Sequence, residues 1–289
     1  MLGVMGRVWL VAKKGCGRTL VVTALFLWGN SAALVDWLAT SAGLTLIAAP
    51  AHAMVTFSST GSGNDEILSA SASFNLAVSG TTTQLVVTLT NTGAYNPNDP
   101  ADILTTVFFS LPGDPTLTRV SAVLDTGSTL FFQGAVTNEP SGNVIGGEWA
   151  YKTGLTGAPG GADQGISSSG LNLFGPHDVF PGPTLGGLEG KPPDGVSWGL
   201  TTSVDDSSAY NGGLTRRGFI KNSVVFTLGN VPASLDSSQI SNVRFQYGTS
   251  SSEPNIVGVA VAVPESSTFA LVSGRLLAIV LLRRRSRPH

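Results

Sequence analysis

Apolar and polar residues alternate through two neighbouring stretches, Ser73 to Ser79 and Gln84 to Thr90, with Gly80 to Thr83 between them. A period of two places one apolar face on each segment, and the short polar connection between them predicts a β-hairpin. Further β-branched and aromatic runs predict strands at Leu104 to Leu111, Arg119 to Leu124, Thr129 to Phe132, Val196 to Thr201, Ser223 to Leu228 and Asn242 to Tyr247. No comparable stretch repeats its apolar residues at helical spacing, so helices should be few. Many short strands punctuated by Gly, Pro, Asn and Asp predict an all-β fold, a β-sandwich of Greek-key or jelly-roll type.

The strand-rich halves are separated by residues 154–194, a Gly/Ser/Pro-rich region. It still carries apolar anchors at Ile166, Leu171, Leu173, Phe174, Val179 and Phe180. Loops of that length are usually functional or disordered, and the anchors favour an ordered excursion folded over one edge of the sandwich.

The two ends of the chain read differently from its middle. Residues 1–53 hold Arg7, Lys13, Lys14 and Arg18 against Asp36 alone, followed by apolar runs that end in Ala51-His52-Ala53. A basic start, an apolar stretch and small residues at the third and first positions before a cut are the marks of a secretory leader. Cleavage by signal peptidase is expected after Ala53. Cys16, the only cysteine, lies in that leader next to Lys13 and Lys14, which is not a lipidation setting, so the exported part has no thiol chemistry. Residues 54–263 carry 7 basic and 16 acidic side chains, a net charge of −9. Such a domain is no nucleic-acid binder.

The last residues, 264–289, combine a polar motif (Pro264, Glu265, Ser266), an apolar segment from Phe269 to Leu282 and a basic end at Arg283, Arg284, Arg285 and Arg287. The apolar segment is expected to form a single transmembrane helix, and the arginines to hold its end on the cytoplasmic side. This arrangement resembles the PEP-CTERM sorting tail of Gram-negative bacteria. Ser266 stands where that family usually has a second proline, and Arg275 lies within the apolar span. The resemblance implies an exosortase as processing partner. It also implies transient anchoring in the inner membrane, then delivery to the cell surface or extracellular matrix. Interior stretches extend the likeness: Gly147 to Lys152, Gly165 to Leu171 with Phe174-Gly175-Pro176, Ser203 to Asp206, and Val243 to Thr249. They resemble the exosortase-dependent surface proteins named for an Asp-Asp element, a family described by sorting and not by a reaction.

The residue inventory offers little chemistry. After cleavage only His177 and His289 remain, and His177 sits in the turn Gly175-Pro176-His177-Asp178 with no nucleophile elbow in the sequence. A single ectodomain histidine and no cysteine do not make a zinc site. A glycoside hydrolase needs only two carboxylates across a cleft, and Glu148, beside Trp149 and Tyr151, with Glu189 or Asp205 is the pair available. Calcium takes clustered loop oxygens, for which Asp205, Asp206 and Asn211, or Asn96, Asn98, Asp99 and Asp102, are candidates against their plainer use as turn formers. Arg216-Arg217 reads as a solvated pair. The expectation is a non-enzymatic surface or matrix protein without a cofactor, structural or adhesive in a biofilm or polysaccharide matrix. A carbohydrate- or calcium-binding sandwich, with a sugar strip including Trp149 or Trp198, is the alternative, and a hydrolase the third possibility.

Overall fold

The computed structural model describes residues 9–12, 20–23, 54–132, 135–137, 140–186 and 191–261. Ala51, Ala53, Glu189, Pro264, Glu265, Ser266 and Arg283 to Arg285, and with them the leader cleavage and the sorting tail, lie outside the described residues. Two compact units divide the chain, Met1–Pro50 and Ala51–His289. In the first, β1 (Trp9–Ala12) pairs antiparallel with β2 (Leu20–Thr23).

The second unit contains two sheets. One has six strands in the order β17 (Val259–Val261), β3 (Val55–Ser62), β4 (Ile67–Ser79), β5 (Thr82–Asn91), β14 (Ser223–Gly229) and β7 (Thr118–Leu124), all antiparallel. The other has nine strands. Its main path runs β10 (Ala150–Thr153), β11 (Gln164–Ser167), β6 (Leu104–Ser110), β12 (Leu200–Thr201), β13 (Gly218–Lys221), β8 (Thr129–Phe132) and β9 (Ala135–Val136). On the other edge of β6 lies β15 (Ser241–Tyr247), followed by β16 (Asn255–Val257). Only the pair β12 and β13 runs parallel. The helical elements among the described residues are five short 3₁₀ turns, and no helix there is long and apolar enough to cross a membrane.

Alternation explains the longest hairpin. Leu68, Ala70, Ala72, Phe74 and Leu76 are buried along β4, and Leu85, Val87 and Leu89 along β5. Ser69, Ser71, Ser73 and Asn75 take the opposite face. The hairpin turn is shorter than the four residues the sequence suggests. Ser79 pairs with Thr82, leaving Gly80 and Thr81 as the loop, and Gly80 at φ 64° sits where a two-residue turn favours glycine. The outer face is a ladder of small polar and β-branched side chains, one row reading Val261, Thr56, Ser73, Thr88, Val225, Val123 across the sheet.

The inner faces share one core. Phe74 of the six-stranded sheet meets Phe109 of the other edge-on at 5.2 Å, and Phe226 lies 5.0 Å from Trp149 and 5.6 Å from Phe180. The chain passes directly between the sheets at two positions. Asn222, at φ 84°, separates β13 from β14, and Gly258 separates β16 from β17. A Cβ at Gly258 would lie 3.1 Å from Val243 and 3.2 Å from Phe245, so the crossing hugs the core.

Two segments differ from expectation. Of Val196 to Thr201 only Leu200–Thr201 is strand: Trp198 adopts φ 60°, and the backbone N–H of Gly199 donates to the Val196 carbonyl in a turn. Its indole packs against Gly218, where a Cβ would come within 2.4 Å of the ring. The described parts of the 154–194 region, 154–186 and 191–194, are ordered, as the anchors suggested, yet they are not confined to an edge. The segment Gln164–Ser167 inserts as β11 between β10 and β6. Gly165 makes this possible, since a Cβ there would meet Phe174 at 2.8 Å and Phe108 at 3.0 Å.

Candidate functional site

The groove between the sheet edges is built on an irregularity in β7. Phe226 pairs with Ala122 and Thr227 with Ser121, but Leu228 pairs with Arg119, which leaves Val120 as an extra residue. A bulge of this kind re-aims the side chains on either side of it. Leu228 is buried on the inner face, so its partner Arg119 takes that face too, while Val120 is exposed. An unbroken register would place Val120 inward and Arg119 outward.

Arg119 therefore reaches across the gap between the sheets. Its Nη1 donates to the Tyr151 carbonyl of β10 at 3.2 Å and stands 3.8 Å from Asp178 Oδ1. Lys152 approaches the same carboxylate from the other side, with Nζ 4.0 Å from Oδ2, and donates to the Leu173 carbonyl at 2.7 Å. Asp178 is itself fixed by the Gly175 N–H on Oδ2 at 2.9 Å. Its segment follows the start of β10: Tyr151 N–H donates to the Asp178 carbonyl and Phe180 N–H to that of Trp149. The resulting groove encloses about 690 Å³ between residues 116–119, 151–153 and 178–182. Leu117, Val179 and Pro181 give it an apolar lining and Thr116 and Thr118 supply hydroxyls, while the Thr153 hydroxyl donates to Asp114 Oδ1 and accepts from Gln164 Nε2. The groove lining holds two cations and one carboxylate, and the Asp114 carboxylate, which accepts the Thr153 hydroxyl at 2.7 Å, stands at one end.

The residues singled out from the sequence, Tyr151 apart, lie away from this groove. Trp149 and Trp198 are 0% and 3% exposed, so neither presents the aromatic strip a sugar-stacking face requires. The Trp198 indole N–H donates to the Gly186 carbonyl. Tyr151 is buried, its hydroxyl donating to Gln164 Oε1. Glu148 is buried, accepts the Leu185 N–H, and is pushed up to about 7 by loss of solvent, partly opposed by that hydrogen bond. Neither Glu148 nor Asp205 lines the groove.

Asp205 is fully buried. One of its oxygens accepts the Ser207 N–H at 2.8 Å and the other the Tyr210 hydroxyl at 2.6 Å. Burial, then the Asp205 contact, raises the Tyr210 hydroxyl far above its ordinary range. Asp206 accepts the Ser208 N–H, and hydrogen bonding from Ser208 holds its exposed carboxyl below the usual value. Asn211 accepts the Gly213 N–H. One oxygen each of Asp205, Asp206 and Asn211 is thus engaged in an Asx turn, whereas Asp102 Oδ1 in the second group is buried without a hydrogen-bond partner. No cluster of three or more His, Cys, Asp or Glu side chains suited to a metal occurs among the described residues.

The two calcium candidate loops nonetheless meet. Asn96 accepts the Asp206 N–H at 3.1 Å and donates to Ser208 Oγ at 3.0 Å, across 110 positions of sequence. Asp99 caps a 3₁₀ turn (Pro100–Asp102), and buried Asp102 takes the N–H groups of Asn98 and Asp99 on one oxygen. His177 is exposed in its turn. Arg119 was not singled out as a site residue, because nothing in the strand 119–124 marks the bulge that turns it inward. Lys152 and Asp178 appeared only as members of other motifs.

No family model matches the chain, and no curated protein or solved structure matches it.

Proposed function

We propose that this chain is a non-enzymatic exported protein of the cell surface or extracellular matrix, sorted through its tail by an exosortase. The observation carrying this reading is the order of the last residues: Pro264-Glu265-Ser266, an apolar segment, then Arg283 to Arg285. The last strand among the described residues, β17, ends at Val261, three positions before Pro264. In this reading residues 1–53 are a cleaved leader, the two sheets form a jelly-roll-like sandwich, and residues 264–289 form a transient transmembrane anchor.

The domain suits exposure outside the cell. The outer ladder of Ser, Thr and Val is small-grained and open to modification, and the buried carboxylates Glu148 and Asp205 are engaged with neighbouring donors. A matrix role asks for sheet stability and hydration, not turnover. Deletion of residues 264–289 tests the sorting step in whole cells. We expect the shortened protein to be lost from the protease-accessible cell surface and recovered from periplasm or medium, and an unchanged surface fraction would contradict the reading.

A further inference from the structure

We propose that the groove at Arg119 and Lys152 binds a carboxylate-bearing polysaccharide, a segment of uronate units. This deepens the surface role and rests on that reading only for the polymer being present outside the cell. Arg119 and Lys152 both line the groove against one lining carboxylate, Asp178, although residues 54–263 carry a net charge of −9, and the Asp114 carboxylate stands only at the Thr153 end. The bulge at Val120 places an arginine on the inner side of an edge strand. Around that charge the chain arranges threonine hydroxyls and an apolar lining, the pairing a pyranose needs for its hydroxyl rim and its C–H face. Its size falls within the range of small-molecule sites, and its open form suits a polymer passing through.

A peptide adding to the edge of β7 fits less well. The Ile145 N–H already donates to the Ala122 carbonyl, and Val123 bridges Val144. Only the first residues of β7 remain, and the Arg119 side chain crosses there to the Tyr151 carbonyl. A ligand must therefore be recognised by side chains and charge, not by a ladder of backbone hydrogen bonds. Asp178 sits between the cations as an internal competitor for them.

That competition gives the proposal its sharpest test. Binding of the full chain isolated from its host is measured against polygalacturonate, its fully methyl-esterified form and polyglutamate. We expect polygalacturonate to bind, with at least roughly tenfold weaker binding to the ester and to polyglutamate, and with affinity falling as salt rises. Arg119→Ala and Lys152→Ala should each weaken polygalacturonate binding several-fold, and Lys152→Arg should restore it. Asp178→Asn should tighten binding by roughly two- to fivefold, the scale of one exposed ion pair. A role limited to structure would not produce that gain.

Inward charges and bulges also protect edge strands from self-association. If Arg119→Ala promotes aggregation while its soluble fraction binds as before, edge protection accounts for the residue and the proposal falls. Equal binding of acid and ester, equal binding of polyglutamate, or no binding overturns it as well. A processed tail with no polysaccharide binding removes this inference alone, and polysaccharide binding with an unprocessed tail removes the sorting reading alone.

Discussion

Phe226→Ala should be among the most damaging single substitutions in the domain. Phe226 is fully buried at the junction of the sheets, with Trp149 at 5.0 Å and Phe180 at 5.6 Å. Truncation removes a ring from a close-packed interior and leaves a cavity lined by two other aromatic rings. Such changes cost about 3–5 kcal/mol. The segments carrying Trp149 and Phe180 also form one wall of the Arg119 groove, so the loss should reach the site. Urea unfolding of the variant should show a lower midpoint with little change in slope. A cost below about 1 kcal/mol would mean that the two sheets do not share this core.

Glu148 should make stability depend on pH in the direction opposite to an ordinary salt-bridged carboxylate. Burial raises its carboxyl from 4.5 to about 7. Between those values the folded protein holds a proton that the unfolded chain has released. Its contribution is therefore full below about pH 4.5 and lost as pH rises through 7. Glu148→Gln keeps an oxygen for the Leu185 N–H and removes the titration. Relative to this variant, the wild type should lose roughly 3 kcal/mol between acid and mildly alkaline pH. Parallel stability profiles for the two proteins would show that the Glu148 carboxyl does not titrate differently on folding.

Much of the fold was legible because period-two patterning and β-propensity agree in β4, β5, β6, β7, β14 and β15. Their expected limits lie within a few residues of those observed, except that β4 begins six residues earlier, at Ile67. The strands that were missed lack that signature. Gln164–Ser167 is buried at every position yet alternates nothing, since a strand covered on both faces, with Phe174 and Phe108 closing over Gly165, needs small residues as much as apolar ones. Gly218–Lys221 and Val259–Val261 are short pieces next to sheet crossings, and their pairing depends on distant partners. At Val196 to Trp198 the apolar pattern suggested a strand, but the left-handed turn at Trp198 prevailed because Gly218 leaves room for its ring.

The candidate site was less legible than the fold. Arg119, Lys152 and Asp178 are separated by tens of residues and meet only because a one-residue bulge reverses the facing of Arg119. A bulge has no reliable composition, so sequence spacing carries no trace of it. Asp205, Asp206 and Asn211 were conspicuous for the opposite reason: residues that form Asx turns are the same types that ligate calcium. In the structure one oxygen of each accepts a backbone N–H two residues on.

Export and removal of the tail by an exosortase, as proposed above, leave a signature in the mass of the mature protein. Intact-mass analysis of the protein from its native host, compared with a strain lacking the exosortase, tests that proposal most directly. We expect a mature species beginning at Met54 and ending near Pro264 in the first strain, with the tail retained in the second. A tail that remains in both strains, or an N-terminus still carrying residues 1–53, would contradict it.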